Sequence, residues 1–288
     1  MMFLELMMLA DEPLKTVGEI MEAAPAEVWQ AVDPENTLYI ETPKGRVVVV
    51  LSPDLAQAHV SQVKTLAREG FYDGLNFYRV VHGFVAQGGD QSETKDKGSA
   101  ASSLTAEFDE TPPEDLPFTP LGYADGYAAE AGFINGHPAG RDAKDDKVWL
   151  AHCTGAFAFA RDVARDTAST EFYVTLQPQR YLDRNLTVAG RVIYGMDIVQ
   201  AMPRGDFGDS GVIANEADWT PIVTMAVASD IAEADRTALE IMDTNNETFS
   251  ALIKARANRA GEFFYHQADY IDLCQMPIPV RLTPAETP

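Results

Sequence analysis

The sequence predicts a mainly β protein, on three observations. Residues 77–81 are aromatic or β-branched apart from Arg79, His82-Gly83 interrupts the run, and residues 84–87 resume it before Gly88-Gly89, so two short strands meet at Gly83. Residues 38–42, the Pro43-Lys44-Gly45 turn and residues 46–51, with Val47-Val48-Val49-Val50 in succession, read as a β-hairpin. Residues 221–228, PIVTMAVA, read as a last strand that pairs with the first. At 288 residues, 46% of them hydrophobic, the chain exceeds one average domain and can fill a sizeable core.

Residues 1–10, MMFLELMMLA, are apolar but short, broken by Glu5 and without a basic lead. They fit the remnant of an incomplete signal peptide ending near Ala10, and equally an N-terminal helix. Residues 17–32 read as one or two short helical segments interrupted at Pro25, followed by a turn at 33–36, so residues 1–35 are expected to form an N-terminal helical segment. Ser52-Pro53-Asp54 starts a helix, with proline at the first helical position and an acidic residue in the first turn, and Ala56, Val60, Val63, Leu66 and Ala67 recur at helical spacing until Gly70. In the strand pair that follows, strict alternation places Phe77, Arg79 and Val81 on one face and Val85 with Gln87 on another, so a cation and an amide sit among apolar side chains.

Residues 90–101 read as a polar loop, and residues 111–147, with Pro112, Pro113, Pro117, Pro120, Pro138 and several glycines, as too irregular for long elements. Gly136-His137-Pro138 with Asp142, Asp145 and Asp146 reads as a solvated loop and not as a metal site. Residues 230–264 read as two helices around Asp243-Thr244-Asn245-Asn246, the second carrying Phe249, Leu252, Ile253 and Ala257, and residues 271–282 as extended. A net charge of −22 opposes binding to nucleic acid or anionic membrane surfaces. Cys153 and Cys274, far apart and in no CxxC pattern, could pair in an oxidising compartment or remain as two buried thiols.

The run Phe77-Tyr78-Arg79-Val80-Val81-His82-Gly83-Phe84-Val85-Ala86-Gln87-Gly88-Gly89-Asp90 closely resembles the signature of the cyclophilin-type peptidyl-prolyl isomerases, Phe-His-Arg-hydrophobic-hydrophobic-x-Gly-Phe-x-x-Gln-Gly-Gly-Asp. Gly155-Ala156-Phe157-Ala158-Phe159-Ala160-Arg161 is similar to the family's Gly-x-hydrophobic-Ser-Met-Ala-Asn, departing at Ala158, Phe159 and Arg161. Thr170-Glu171-Phe172-Tyr173-Val174 stands where the family shows Ser-Gln-Phe-Phe-Ile, and Tyr181-Leu182-Asp183 matches its aromatic-Leu-Asp. The stretch from Gly190 to Val199 resembles Gly-x-Val-x-x-Gly-Met-Asp-Val-Val, with Ala189 replacing the usual phenylalanine, and Leu186 falls near a histidine of better-known members. In outline the resemblance spans residues 36–228.

The resemblance implies a closed antiparallel β-barrel capped by helices over residues 36–229, with an insertion at about 109–147, and leaves residues 230–288 as a small helical C-terminal extension. It also implies the reaction, rotation about X-Pro bonds without cofactor or metal. Amide resonance sets a barrier of about 18–20 kcal/mol, and the twisted transition state returns a lone pair to the proline nitrogen. An apolar hollow for the ring and a charged donor aimed at that nitrogen would favour the twisted form. Arg79 is then the donor and Gln87 the anchor of a substrate main-chain group. Phe84, Val85, Ala160, Arg161, Glu171, Tyr173, Tyr181 and Leu182 line the substrate site, with Phe172 in the core. Glu171 in place of glutamine could tether Arg79 as an ion pair and slow turnover, or hold a substrate N–H.

The implied partners are proline-containing unfolded or extended polypeptides, the implied role assistance in folding, and the compartment periplasmic or exported, alternatively cytoplasmic. Two other readings stand beside the enzyme: a catalytically weak proline-peptide-binding or chaperone module on the same fold, and a barrel serving as scaffold for the insertion and tail.

Overall fold

The computed structural model describes residues 14–284, so the apolar residues 1–10 and both readings of them lie outside the described residues. Four consecutive valines can all be shielded only in a strand covered on both faces. Three of them are shielded: Val47 and Val49 face the main core and Val48 a second cluster with Tyr39 and Leu239, while Val50 is half-buried. Their strand, Gly45–Leu51, sits in a nine-stranded sheet ordered Thr220–Pro221, Asn76–Val80, Val85–Gly89, Phe172–Thr175, Ala156–Phe159, Val188–Tyr194, Gly45–Leu51, Thr37–Thr42, Thr224–Val227. Every neighbouring pair is antiparallel.

This sheet is open and strongly curled, not the closed barrel expected. The last strand does pair with the first, through Met225 opposite Ile40. The same segment reaches the far edge only through Thr220–Pro221, and Pro221 has no N–H to extend a ladder there. Inside the curl, Phe77, Phe157, Phe159 and Phe172 pack with Val60, Val63 and Leu66 of the helix Gln57–Arg68. That helix begins a turn later than Ser52-Pro53-Asp54 suggests. Ser52 instead accepts the Ala56 N–H in a turn (3.1 Å), and the Glu107 carboxylate takes the first free helix donors, Ala58 N (2.8 Å) and His59 N (3.0 Å).

Residues 111–147 depart most from expectation. They contribute to a four-stranded antiparallel sheet, Thr119–Pro120, Glu130–Ile134, His137–Asp142 and Lys147–Leu150. Its glycines are not loop residues: a Cβ on Gly132 would lie 2.7 Å from the Phe118 ring and one on Gly140 2.6 Å from the Trp149 ring, so bare backbone lets aromatic rings lie across the strands. His137, expected in a solvated loop, is buried, and burial beside Arg191 lowers its pKa to about 4.

The two ends of the chain are also less helical than expected. Among the described N-terminal residues only Val17–Glu22 forms an α-helix, with a Thr16/Glu19 capping box, and Trp29–Ala31 is a strand. Of the two helices expected in 230–264, one exists, Glu247–Ala257, capped by Asn246; the other region holds the strand Leu239–Met242. Leu-Glu-Ile-Met favours helix locally, but pairing with Trp29–Ala31 on one side and Val280–Leu282 on the other decides for strand.

These pieces form an accessory lobe with one core. Ile20 from the N-terminal part, Phe133 from the four-stranded sheet and Phe249, Leu252 and Leu273 from the C-terminal part lie in it, and the Phe133 and Phe249 rings meet edge to face at 4.9 Å. A disulfide between Cys153 and Cys274 ties this lobe to the curled sheet. Among the described residues no helix is long and apolar enough to cross a membrane.

Candidate active site

The site lies on the hairpin Asn76–Val80/Val85–Gly89, whose turn places Gly83 at φ 68°, a conformation costly for any residue with a Cβ. Alternation alone would put Phe77 and Arg79 side by side, but a bulge between them breaks the register: Phe77 pairs with Gly88 and Arg79 with Gln87. Phe77 therefore enters the core, while both Tyr78 and Arg79 reach Gln87. One extra residue has re-aimed a cation from a core face to a groove.

Arg79 is fixed on two sides, its Nε donating to the Ser210 carbonyl (2.8 Å) and its Nη1 to Gln87 Oε1 (3.0 Å). Its Nη2 makes no protein hydrogen bond among the described residues and is free to donate. The guanidinium stands 5.9 Å from the Phe84 ring centroid, and burial lowers its pKa. The Gln87 amide is oriented from its other end, where Nε2 donates to Tyr78 Oη (2.8 Å) and toward Glu171 Oε2 (3.3 Å).

Glu171 forms no ion pair with Arg79, contrary to the tether its position suggested. Its Oε2 accepts from Tyr78 Oη at 2.5 Å, and its buried Oε1 has no partner among the described residues. Desolvation raises the carboxyl's pKa, opposed in part by the bonds from Tyr78 and Gln87. Burial, and then the charge of Glu171, push the Tyr78 phenol above its ordinary value. Gly89 makes room for this group: a Cβ there would lie 2.1 Å from Glu171 Oε1.

Beside this polar row is an apolar cluster. Phe84, Val85, Ala160 and Tyr173 fall in it together, and Gln87 and Tyr173 are direct cross-strand partners, so their side chains rise from one face of the sheet. Phe172, one residue earlier, is fully buried on the opposite face. Tyr181 (58% exposed) and the half-buried Leu182 lie on the Arg180–Leu182 turn, outside that cluster. Arg161 is held by the Asn185 carbonyl (2.8 Å) over the Phe108 ring. Together with Tyr78, Gln87, Asp90, Glu93 and Glu171 it lines a cleft of about 430 Å³.

Sequence reasoning missed Tyr78, which stands where the family's signature has histidine and joins Gln87 to Glu171. It also missed His152, Arg180 and Asp125, for which no local motif gives a signal.

The curled antiparallel sheet thus presents a fixed guanidinium and an oriented amide next to an apolar cluster. The sequence profile of the cyclophilin type peptidyl-prolyl cis-trans isomerase/CLD family matches residues 37–225, and the chain belongs to that family. It is 33% identical over 186 residues to a probable peptidyl-prolyl cis-trans isomerase of Brucella suis, covering 64% of this chain and 80% of that protein. It is 30% identical over 179 residues to human peptidyl-prolyl cis-trans isomerase-like 1, covering 62% of this chain and 84% of the relative. Among solved structures, cyclophilin AquaCyp293 from Hirschia baltica superposes with a TM-score of 0.71 at 27% identity, covering 89% of this chain and 95% of the other. That coverage exceeds the family match, so the likeness reaches into the accessory lobe.

Proposed function

We propose that the groove accelerates rotation about X-Pro bonds, with Arg79 as the donor to the twisted proline nitrogen. The observation that carries the assignment is the double restraint on Arg79 by Ser210 and Gln87. It fixes the guanidinium plane, with Nη2 left free to donate and the group 5.9 Å from the Phe84 ring centroid. A donor already oriented costs nothing to organise when the amide twists, and a guanidinium stays charged throughout. Gln87, itself held by Tyr78 and Glu171, anchors a main-chain group of the substrate while the bond turns. No bond is broken.

The substrates under this reading are proline-containing segments of unfolded or exported polypeptides, with residues 36–229 as the isomerase domain. The Cys153–Cys274 pairing supports an oxidising compartment such as a periplasm. A protease-coupled isomerisation assay on an Ala-Pro-Phe peptide tests the activity. Turnover by the intact chain that falls in Arg79→Ala supports the assignment. A rate equal to the uncatalysed blank, with proline peptides still bound, overturns it in favour of a peptide-binding module.

A further inference from the structure

Tyr173 stands where the family's motif carries phenylalanine, and its hydroxyl is buried in an otherwise apolar cluster. A buried hydroxyl needs a partner. His152 supplies it: Nε2 lies 2.9 Å from Tyr173 Oη, with the two rings 14° from parallel. His152 is in turn oriented by Asp183, whose Oδ1 accepts from the His152 main-chain N–H (2.8 Å) and faces Nδ1 (3.0 Å). In the tautomer whose Nδ1 donates to that carboxylate, Nε2 accepts from the tyrosine hydroxyl.

Asp183 Oδ2 accepts from Arg180 Nε (2.5 Å), and the Arg180 guanidinium grips Asp125 with both terminal nitrogens (2.9 and 3.0 Å). Asp125 belongs to the insertion, where the main-chain N–H groups of Tyr127 and Ala128 donate to its Oδ1. The side chains of His152, Asp183, Arg180 and Asp125 are all at most 5% exposed. Arg180 and Asp183 also bracket Tyr181 and Leu182 on their turn. None of these four residues lines the cleft of about 430 Å³.

We propose that His152 is a positioning residue for isomerisation. The chain from Asp125 through Arg180, Asp183 and His152 fixes the Tyr173 ring as the floor of the proline hollow, so the accessory lobe helps to set affinity for the proline ring. The proposal rests on Tyr173 lining that hollow. A floor contacts the ring equally in planar and twisted states, so loosening it raises KM and leaves kcat unchanged.

The test is a double-mutant cycle in the isomerisation assay, with thermal unfolding measured alongside. Asparagine at 152 keeps a group where Nδ1 lies and removes the one that meets Tyr173. His152→Asn and Tyr173→Phe should each raise KM by about two- to tenfold, the effect of one neutral hydrogen bond. Their combination should raise it no further than either alone. Losses that multiply in the double variant, or a His152→Asn protein with lowered thermal stability but wild-type KM, overturn the proposal. Should His152→Asn fail to fold, Asp125→Asn replaces it in the cycle and must raise KM by less than the full product when combined with Tyr173→Phe. Tyr173→Ala separates the two ideas. If it raises KM while Tyr173→Phe and His152→Asn do not, the hollow stands and the positioning role falls; if it leaves KM unchanged, Tyr173 does not line the hollow and both fall.

Discussion

The groove on the curled sheet and the accessory lobe are both antiparallel β structure, yet they hold their key groups differently. In the groove, Arg79 and Gln87, eight residues apart, and Tyr78 come from the two strands of one hairpin, Glu171 is the residue just before a third strand, and the Arg79–Gln87–Tyr78–Glu171 bonds run along an open cleft. In the lobe, residues around 20, 133, 249 and 273 share one core, and the Arg180–Asp125 pair that joins the lobe to the sheet is buried. The comparison separates two duties. Under the proposed function, local strand geometry fixes the donor and the anchor, and long-range closure fixes the walls around them.

The largest way to break that separation acts on the lobe. Cys153 and Cys274 are 121 residues apart, so their link restricts a long loop of the unfolded chain. Replacing both by alanine is expected to lower unfolding free energy by about 2–5 kcal/mol, measured by urea titration. The kcat of the folded fraction should not change. A kcat that falls in step with stability would show that the lobe shares in the chemistry and would erase the distinction.

Arg79→Ala should do the reverse. Losing a charge-assisted hydrogen bond costs roughly 1.5–3 kcal/mol, so kcat/KM should drop about ten- to a few-hundredfold. Thermal unfolding should barely move, because the Arg79 side chain is only half-buried and its partners can turn to water. A large drop in melting temperature with normal kcat/KM would make Arg79 a structural group.

The same contrast explains what could be read from the sequence. Residues 77–90 announce their role because bulge, turn and glycines act within one hairpin, and Arg79, Phe84 and Gln87 come together as the motif implies. Even there, period-two counting misplaced Phe77, since a bulge leaves no mark in a hydrophobic pattern. In the lobe the local signals mislead. Pro138 and Gly140 look like loop residues, but Gly140 is needed under the Trp149 ring, and Leu239–Met242 is a strand only because residues more than 200 positions upstream and about 40 downstream pair with it. Tyr181 and Leu182 were legible as a motif, whereas the buried charges that hold their turn come from residue 125 and could not be anticipated from spacing.

A smaller effect sharpens the picture inside the groove. Tyr78 Oη is the junction between Gln87 and Glu171, and Tyr78→Phe removes it while keeping the ring. With one neutral bond lost, kcat/KM should fall about two- to tenfold, well short of the loss in Arg79→Ala. A loss as large as that of Arg79→Ala would mean that Gln87 orientation, not the guanidinium, limits the rate.

The mildest prediction concerns Glu171. Desolvation raises its pKa above the ordinary 4.5, so the folded protein holds the proton more tightly than the unfolded chain does. The protonated carboxyl's contribution to stability is therefore complete below the ordinary value and is lost as pH rises through the folded-state value. For activity the direction is opposite. The ionised group accepts from both Tyr78 and Gln87 and so keeps Gln87 Oε1 turned to Arg79, whereas the protonated group brings a donor of its own and competes for the same acceptors. On acidification kcat/KM should decline with a midpoint above the ordinary carboxylate value. Glu171→Gln, whose amide cannot titrate but carries a donor as the protonated carboxyl does, should hold the lowered kcat/KM already at neutral pH and lose that acid limb. If the limb persists unchanged in Glu171→Gln, another group titrates it, and Glu171 is not what orients Gln87.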